Sequence, residues 1–376
     1  MFMRNVITAK IGNEIASCIH VSRPSHQSTR RGGGGGCFKL VPSFIYCVCL
    51  VATTFELMRA GARLTNLALL SLLILAFFSG WGAFELSGQP ARATLVIHAA
   101  AGVAMVLLVP WKALVARRGL RRPRPLRWAS LVLALGVVIS LVFGFVHSLG
   151  RPDIGYLTAL DFHIGAAICV VPFVLWHVLA RPARLRRADL SRRNFLKGAA
   201  LVSASVFGVA VLPAAKRAPT GSYQAAYAVP TQWMFDSAPV VDVAGWRLAA
   251  GGRTWTYEDL VQFDDRVTAV LDCTGGWYSE QEWSGVWLNR LLPAGLNGVS
   301  SIYVRSVTGY GRRFDIGDAP GLLLATRLDG ATVEIGHGFP VRLVAPRRRG
   351  FAWVKWVVSI ETDAAPGWWQ SPFPLQ

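Results

Sequence analysis

After residue 216 the chain holds one cysteine, Cys273, within Leu271-Asp272-Cys273-Thr274-Gly275-Gly276-Trp277. A thiol with no disulfide partner in its own segment is either a small buried hydrophobe or a thiolate ligand for a soft or high-valent metal. Gly275 and Gly276 would let a ligand approach the backbone closely. No His/Cys cluster of zinc-finger spacing accompanies Cys273, so zinc is not expected. Further on stand His337-Gly338-Phe339-Pro340-Val341-Arg342-Leu343 and Val354-Lys355-Trp356. A His, an Arg and a Lys near strand ends and separated by Gly/Pro turns can converge on an anion. The guanidinium would hold a phosphate in a fork and the ammonium would add a point charge. Arg347, Arg348 and Arg349 between them read as a surface basic patch.

Four more histidines, His98, His147, His163 and His177, lie in apolar runs, where an imidazole is costly and therefore a functional candidate. His163 and His177 are 14 residues apart, which returns them to nearly one helix face about 21 Å apart. That spacing resembles four-helix b-type cytochromes of the cytochrome b561 or ferric reductase kind, in which one helix ligates two stacked haems. His98 and His163 fall at matching depth, so the resemblance implies that they hold one haem b, with His147 as reserve ligand. The bland alternative for each ring is a hydrogen bond to a carbonyl inside the bundle. Fourteen residues after His98 stands Lys112, so His177 lacks a histidine partner. Gly102 and Gly165 are the glycines expected to admit a macrocycle.

The elements that must position these groups follow from composition. Of the 376 residues, 53% are hydrophobic and 16% charged, below the roughly 25% charged of soluble domains. Runs at about 66–84, 93–111, 128–148, 159–179 and 198–214 are long enough to cross a membrane as helices. The net charge of +18 belongs to the first 216 residues, since 14 basic and 15 acidic residues follow. Two basic clusters, one from Lys112 to Arg127 and one from Arg181 to Lys197, lie between apolar runs. That placement fits the positive-inside rule and not a nucleic-acid surface, so no nucleic acid partner is expected. With both clusters cytoplasmic, everything after about Pro213 is extracytoplasmic. Residues 1–57 read as an N-terminal extension with Met58 as the natural start, or the apolar stretch 37–55 is a further anchor. Ser191-Arg192-Arg193-Asn194-Phe195-Leu196-Lys197 resembles the twin-arginine export signal, which implies that machinery as a partner and a cofactor inserted before export.

Residues 218–376 change character, with alternating Val/Ile/Leu runs, Gly turns and balanced charge. Strands are expected at 268–271, 301–304, 341–344 and 354–360, and helices at 256–263 and 284–292. In this segment Cys273 with Trp283-Ser284-Gly285-Val286-Trp287-Leu288, then His337 to Leu343, then Val354-Lys355-Trp356, resemble three ordered motifs of the sulfite oxidase family of molybdopterin domains. The resemblance covers roughly 225–365. It implies a mixed, β-rich α+β fold, Cys273 as the protein ligand of molybdenum, and His337, Arg342 and Lys355 as holders of the pterin and its phosphate. Arg305, Arg312 and Arg313 are the candidates for binding substrate.

The expected protein is therefore multi-domain. Residues 58–182 form a four-helix membrane domain, 183–217 a twin-arginine-type signal with a fifth anchor helix, and 218–376 an extracytoplasmic molybdopterin oxidoreductase domain of a bacterial cytoplasmic membrane protein. Its chemistry is oxygen-atom transfer at a Cys273-ligated molybdenum centre on an oxyanion or sulfoxide-type substrate, exchanging electrons with haem b and then with the quinone pool or an exported carrier. The alternatives are a quinol-fed reductase of sulfoxides and a non-enzymatic electron carrier in which Cys273 is merely buried.

Overall fold

The computed structural model describes residues 61–371 apart from 121–126, 151–152, 155–156, 183–184, 212–216, 228–236 and 294. The expected extension 1–57 and the start at Met58 lie outside the described residues. Five helices are long and apolar enough to cross a membrane: Ala62–Glu85 (α1), Gly88–Leu120 (α2), Arg127–Leu149 (α3), Ala159–Ala180 (α4) and Arg192–Val211 (α5). They form two hairpins, α1 with α2 and α3 with α4, and α5 packs on α2. Large side chains such as Phe78, Leu135, Leu175 and Val202 stay exposed on the outer faces, an apolar surface suited to lipid. The fifth helix begins at Arg192, within the paired arginines, rather than near 198.

Asp153–Ile154 (β1) pairs antiparallel with Leu157–Thr158 (β2), and the start of α4 that follows is fixed by a reciprocal cap. Thr158 Oγ1 accepts from Asp161 N–H at 3.2 Å, and the Asp161 carboxylate accepts from Thr158 N–H at 2.8 Å. The acid also suits the positive end of the helix dipole. His163 follows two residues later, so the cap sets the depth of that ring.

After α5 the chain becomes sheet-rich. One sheet contains Tyr223–Gln224 (β3), Asp265–Asp272 (β6), Trp277–Trp287 (β7), Leu323–Leu328 (β10), Ala331–Thr332 (β11) and Arg342–Val344 (β12). The other runs in the order Arg253–Trp255 (β5), Leu248–Ala250 (β4), Val357–Asp363 (β13), Ser301–Ser306 (β8), Gly311–Asp315 (β9). A single core of Trp283, Trp353, Leu323, Leu324 and Val286 with their neighbours underlies them. Tyr257–Leu260 (α6), one turn capped by Thr256 and Asp259, is the short form of the helix expected at 256–263.

Two sequence expectations are corrected. Residues 284–287 are strand and 288–291 a 3-10 turn, not a helix over 284–292. This short apolar run is buried between β6 and β10, where a strand pairs on both edges and periodicity cannot distinguish it from helix. The strand expected from 354 starts at Val357, because Trp356 has φ +52° and turns the backbone. That turn sends Lys355 Nζ to the Gly336 carbonyl and Trp356 Nε1 to the Ile335 carbonyl, each at 2.8 Å.

Gly285 shows how tightly β7 and β10 meet, since a Cβ there would run into the Leu324 carbonyl and the Ala325 backbone. We expect Gly285→Ala to cost about 1–3 kcal/mol through backbone displacement. A lowered thermal unfolding midpoint of the sheet domain, followed by Trp fluorescence, checks this.

Candidate functional site

Cys273 sits at the tip of the β6–β7 hairpin, where its N–H donates to the Trp277 carbonyl at 2.8 Å and Gly276 N–H returns to the Cys273 carbonyl at 3.1 Å. Gly276 has φ +85°, the left-handed backbone this tight turn requires. The thiol is half-buried, with Gly275 N–H 3.4 Å from Sγ. The segment 350–352 packs directly beneath it, and a Cβ on Gly350 would lie 3.0 Å from Cys273 Cα.

Arg342 and Lys355 converge on the same place. Arg342 is buried with its guanidinium against both the Trp283 and Trp353 rings, 5.3 and 5.6 Å from their centroids, and Nη1 donates to the His337 carbonyl at 2.8 Å. Gly338, at φ +115°, allows this convergence, because a Cβ there would stand 3.1 Å from Lys355 Cα and 3.2 Å from Arg342 Cβ. Burial pushes the Arg342 guanidinium down to about 10, against the attraction of Cys273. Burial, then the neighbouring Arg342 charge, pushes Lys355 down to about 7, again opposed by Cys273. His337 is buried with Nδ1 3.6 Å from the Glu334 carboxylate. Thus a thiol, two crowded cations and a buried imidazole share one region.

Arg342 Nε is buried and has no hydrogen-bond partner among the described residues. An unpaired guanidinium N–H away from water is costly unless a ligand accepts from it. Two desolvated cations and an orphaned donor fit an anionic group such as a pterin phosphate. The thiol fits a soft or high-valent metal, and no group of three or more His, Cys, Asp or Glu that could hold a metal ion occurs among the described residues.

Arg349 corrects another expectation. Instead of belonging to a surface patch it is 5% exposed and forms an ion pair with Asp272, the residue before Cys273. Asp272 also accepts from Ser222 Oγ at 2.6 Å and Thr220 Oγ1 at 2.7 Å. Arg349 Nε then donates to the Phe84 carbonyl at the end of α1 at 3.1 Å, and Phe84 stacks on Phe351 with centroids 5.6 Å apart. The burial of Arg349 depends on this long-range junction, which no local pattern encodes. The three substrate-binding candidates diverge. Arg313 is paired with Asp363 at 2.6 Å and Arg305 is exposed beside Glu361, whereas Arg312 is buried and lies over the Phe351 ring at 4.9 Å.

In the helices, His98 and His163 come together with ring centroids 5.6 Å apart. His98 Nδ1 donates to the Ala76 carbonyl at 2.8 Å and His163 Nδ1 to the Ser140 carbonyl at 2.7 Å. With each Nδ1 proton held by a carbonyl, each neutral ring keeps its lone pair on Nε2, the tautomer of a metal ligand supported from behind. Imidazole–metal bonds of about 2 Å imply that a metal between two rings spaces their centroids by roughly 6 Å. The glycines seated against these rings are Gly80 and Gly144, where a Cβ would lie 3.0 Å from His98 Nδ1 and 2.9 Å from His163 Nδ1. Among the described residues, a Cβ on Gly102 would meet only Leu141 Cδ2, at 3.9 Å, and one on Gly165 would meet nothing within 4 Å. His147 stands apart from the pair. Its Cε1 would be 3.2 Å from a Cβ on Gly276, and its carbonyl accepts from Arg217 Nη2 at 2.5 Å. It lies seven residues, about 10 Å, along α3 from Ser140. The Cys273 hairpin therefore rests on the end of the bundle, two helical turns from the histidine pair.

Residues 236–369 match the family described as oxidoreductase molybdopterin binding domain. The C-terminal part of the chain therefore carries an oxidoreductase molybdopterin-binding domain, preceded by apolar helices. The chain is also 28% identical over 148 residues to the putative protein-methionine-sulfoxide reductase subunit YedZ1 of Azospira oryzae, covering 36% of this chain and 56% of that relative. Among solved structures it resembles the sulfane dehydrogenase SoxCD from Paracoccus pantotrophus, at 26% identity and a TM-score of 0.32, covering 34% of this chain and 40% of that one. The chain therefore spans about half the length of the proteins it matches.

The crowding of Lys355 has a measurable sign. Its folded value near 7 lies below the ordinary 10.5, so between these pH values the unfolded chain binds the extra proton and the cofactor-free protein gains stability as pH rises. Relative to Lys355→Met, the cofactor-free parent should gain at most about 1.4 kcal/mol per pH unit over that window. Urea unfolding of both proteins at pH 7, 8 and 9 checks it. Phosphate binding, which favours the ammonium, should weaken over the same window.

Proposed function

We propose that this chain is a membrane-anchored, molybdenum-dependent reductase of sulfoxide-type substrates, fed with electrons from quinol through a haem b held by His98 and His163. The observation that carries the reading is the stacking of two sites: a histidine pair with both Nε2 lone pairs free, two helical turns from a hairpin bearing the lone thiol. The direction, reduction rather than oxidation, is favoured by the methionine-sulfoxide reductase subunit among the relatives.

When bound, the molybdenum cofactor supplies oxygen-atom transfer, so that a sulfoxide, two electrons and two protons give a thioether and water. Cys273 would be its protein ligand, presented by the Gly276 turn. Arg342, Lys355 and His337 would hold the pterin and its phosphate, and the Trp283 and Trp353 faces keep the guanidinium oriented while excluding water. Arg312, stacked on Phe351 beside the Cys273 loop, is the best placed of the three arginines to meet substrate. His98 and His163 would be the haem ligands, each ring aimed by the carbonyl behind it. His147, pressed against the hairpin, would stand between the two centres and keeps the role of reserve ligand.

The domain organisation follows the same reading. Residues 58–182 form the membrane domain, 183–217 the export signal and fifth anchor, and 218–376 the catalytic domain. The Ser191 to Lys197 motif, at the start of α5, supports export by the twin-arginine route and an extracytoplasmic catalytic domain in a bacterial cytoplasmic membrane.

Elemental mass spectrometry of the detergent-purified chain should find about one molybdenum and one iron, with methionine sulfoxide reduced by a low-potential donor. Cys273→Ser should abolish molybdenum-dependent turnover while leaving a redox-active Soret band, and His98→Ala should remove that band. Iron without molybdenum, in a host that makes the cofactor, would leave only an electron carrier. Molybdenum without a Soret band would reduce the helices to an anchor. Oxidation of sulfite without reduction of sulfoxide would reverse the direction.

A further inference from the structure

Fourteen residues along from the histidine pair, the helices repeat the arrangement with one change. His177 on α4 meets Ser130 on α3, Nδ1 to Oγ at 3.3 Å, as His163 meets Ser140. On α2, where a second histidine would complete the repeat, stands Lys112, whose Nζ donates to Asn66 Oδ1 on α1 at 3.0 Å. His177 and Lys112 lie within electrostatic range of each other and of Arg181, whose guanidinium is 5.9 Å from the Trp176 ring. Four helices thus each contribute one polar group at one level of an otherwise apolar bundle. Such groups are expensive in a membrane and mark function by default. The level is remote from the sheet domain, because Asn66 precedes Phe84 by 18 residues, about 27 Å along α1.

A second haem fits this level poorly. An ammonium that donates to an amide oxygen has no lone pair for iron, and Arg181 adds a further positive charge. The same groups suit a flat, apolar ring with oxygens at its edge that accept hydrogen bonds and gain negative charge on reduction. We propose that Asn66, Lys112, Ser130 and His177 form the binding site for the head group of a membrane quinone. Lys112 Nζ donates to one ring oxygen, His177 Nε2 faces the other, and Asn66 and Ser130 hold these two side chains from behind. The proposal rests on the quinol-fed reading above and gives it an entry point. Oxidation of a bound hydroquinone breaks two O–H bonds and yields the quinone, two protons and two electrons. The electrons are the pair that sulfoxide reduction consumes, and the protons leave to water at the adjacent end of the bundle.

The test uses the full chain in lipid nanodiscs. Duroquinone is titrated against the Trp fluorescence, to which Trp111, Trp128 and Trp176 near this level contribute. Turnover is driven separately by duroquinol and by reduced benzyl viologen. In Lys112→Met and in His177→Gln, duroquinone affinity and the ratio of duroquinol-driven to viologen-driven turnover should each fall at least tenfold, with the haem content of the parent retained. Parent-like affinity and ratio in both variants would overturn the site. So would a parent with two haems of which the variants lose one. If the parent shows no molybdenum-dependent turnover with any donor, the reductase reading fails, while the duroquinone titration still decides whether the site exists.

Discussion

The Asp272 carboxylate accepts from Thr220, Ser222 and Arg349, and the same Arg349 guanidinium reaches the Phe84 carbonyl at the end of α1. One buried ion pair therefore joins three things: the hairpin that carries Cys273, the strand-entry segment after α5, and the end of the first helix hairpin. Taking either partner away would leave a buried charge unpaired, which typically costs 3–5 kcal/mol. Everything proposed about electron flow depends on this junction, because it sets how near Cys273 lies to the histidine pair. The Phe84–Phe351 stack adds apolar contact beside it.

Much of this was legible beforehand, for identifiable reasons. The spans could be read because crossing a membrane demands length and apolarity at once, and few other segments satisfy both. Cys273, His337, Arg342 and Lys355 could be picked out because their types are unusual among glycines and apolar strands. The depth match of His98 and His163 needed only helix geometry, and the structure brings those rings together. What stayed hidden depends on tertiary neighbours. Arg349 sits in a run of three arginines, and whereas Arg348 pairs with Asp318 at the surface, Arg349 is buried between the Asp272 carboxylate and the Phe84 carbonyl. Nothing in the sequence marks Gly80 and Gly144 as the glycines that seat the two imidazole rings. The 284–287 strand reads equally well as helix until β6 and β10 close on both of its edges.

The bundle reads as two levels built on one repeat. At each, α4 offers a histidine steadied by a serine of α3, and α2 offers the opposing group, histidine at one level and lysine at the other. A single exchange on α2 thus separates a pair of lone-pair donors from a proton-rich one. The two levels then suit different ligands while the helical frame stays the same.

The contacts that seat the sheet domain on the helices are mostly made to main-chain oxygens. Arg349 binds the Phe84 carbonyl, and Arg217 binds those of His147 and Gly150. A carbonyl is the same whatever side chain accompanies it, so the helix ends are free to drift in sequence without loosening the seat. Their length is not free. One residue inserted in α1 or α3 would rotate the receiving carbonyl by about 100° and shift it by about 1.5 Å. Among natural variants of this architecture, substitutions at these helix ends should be common, and insertions or deletions within the helices rare.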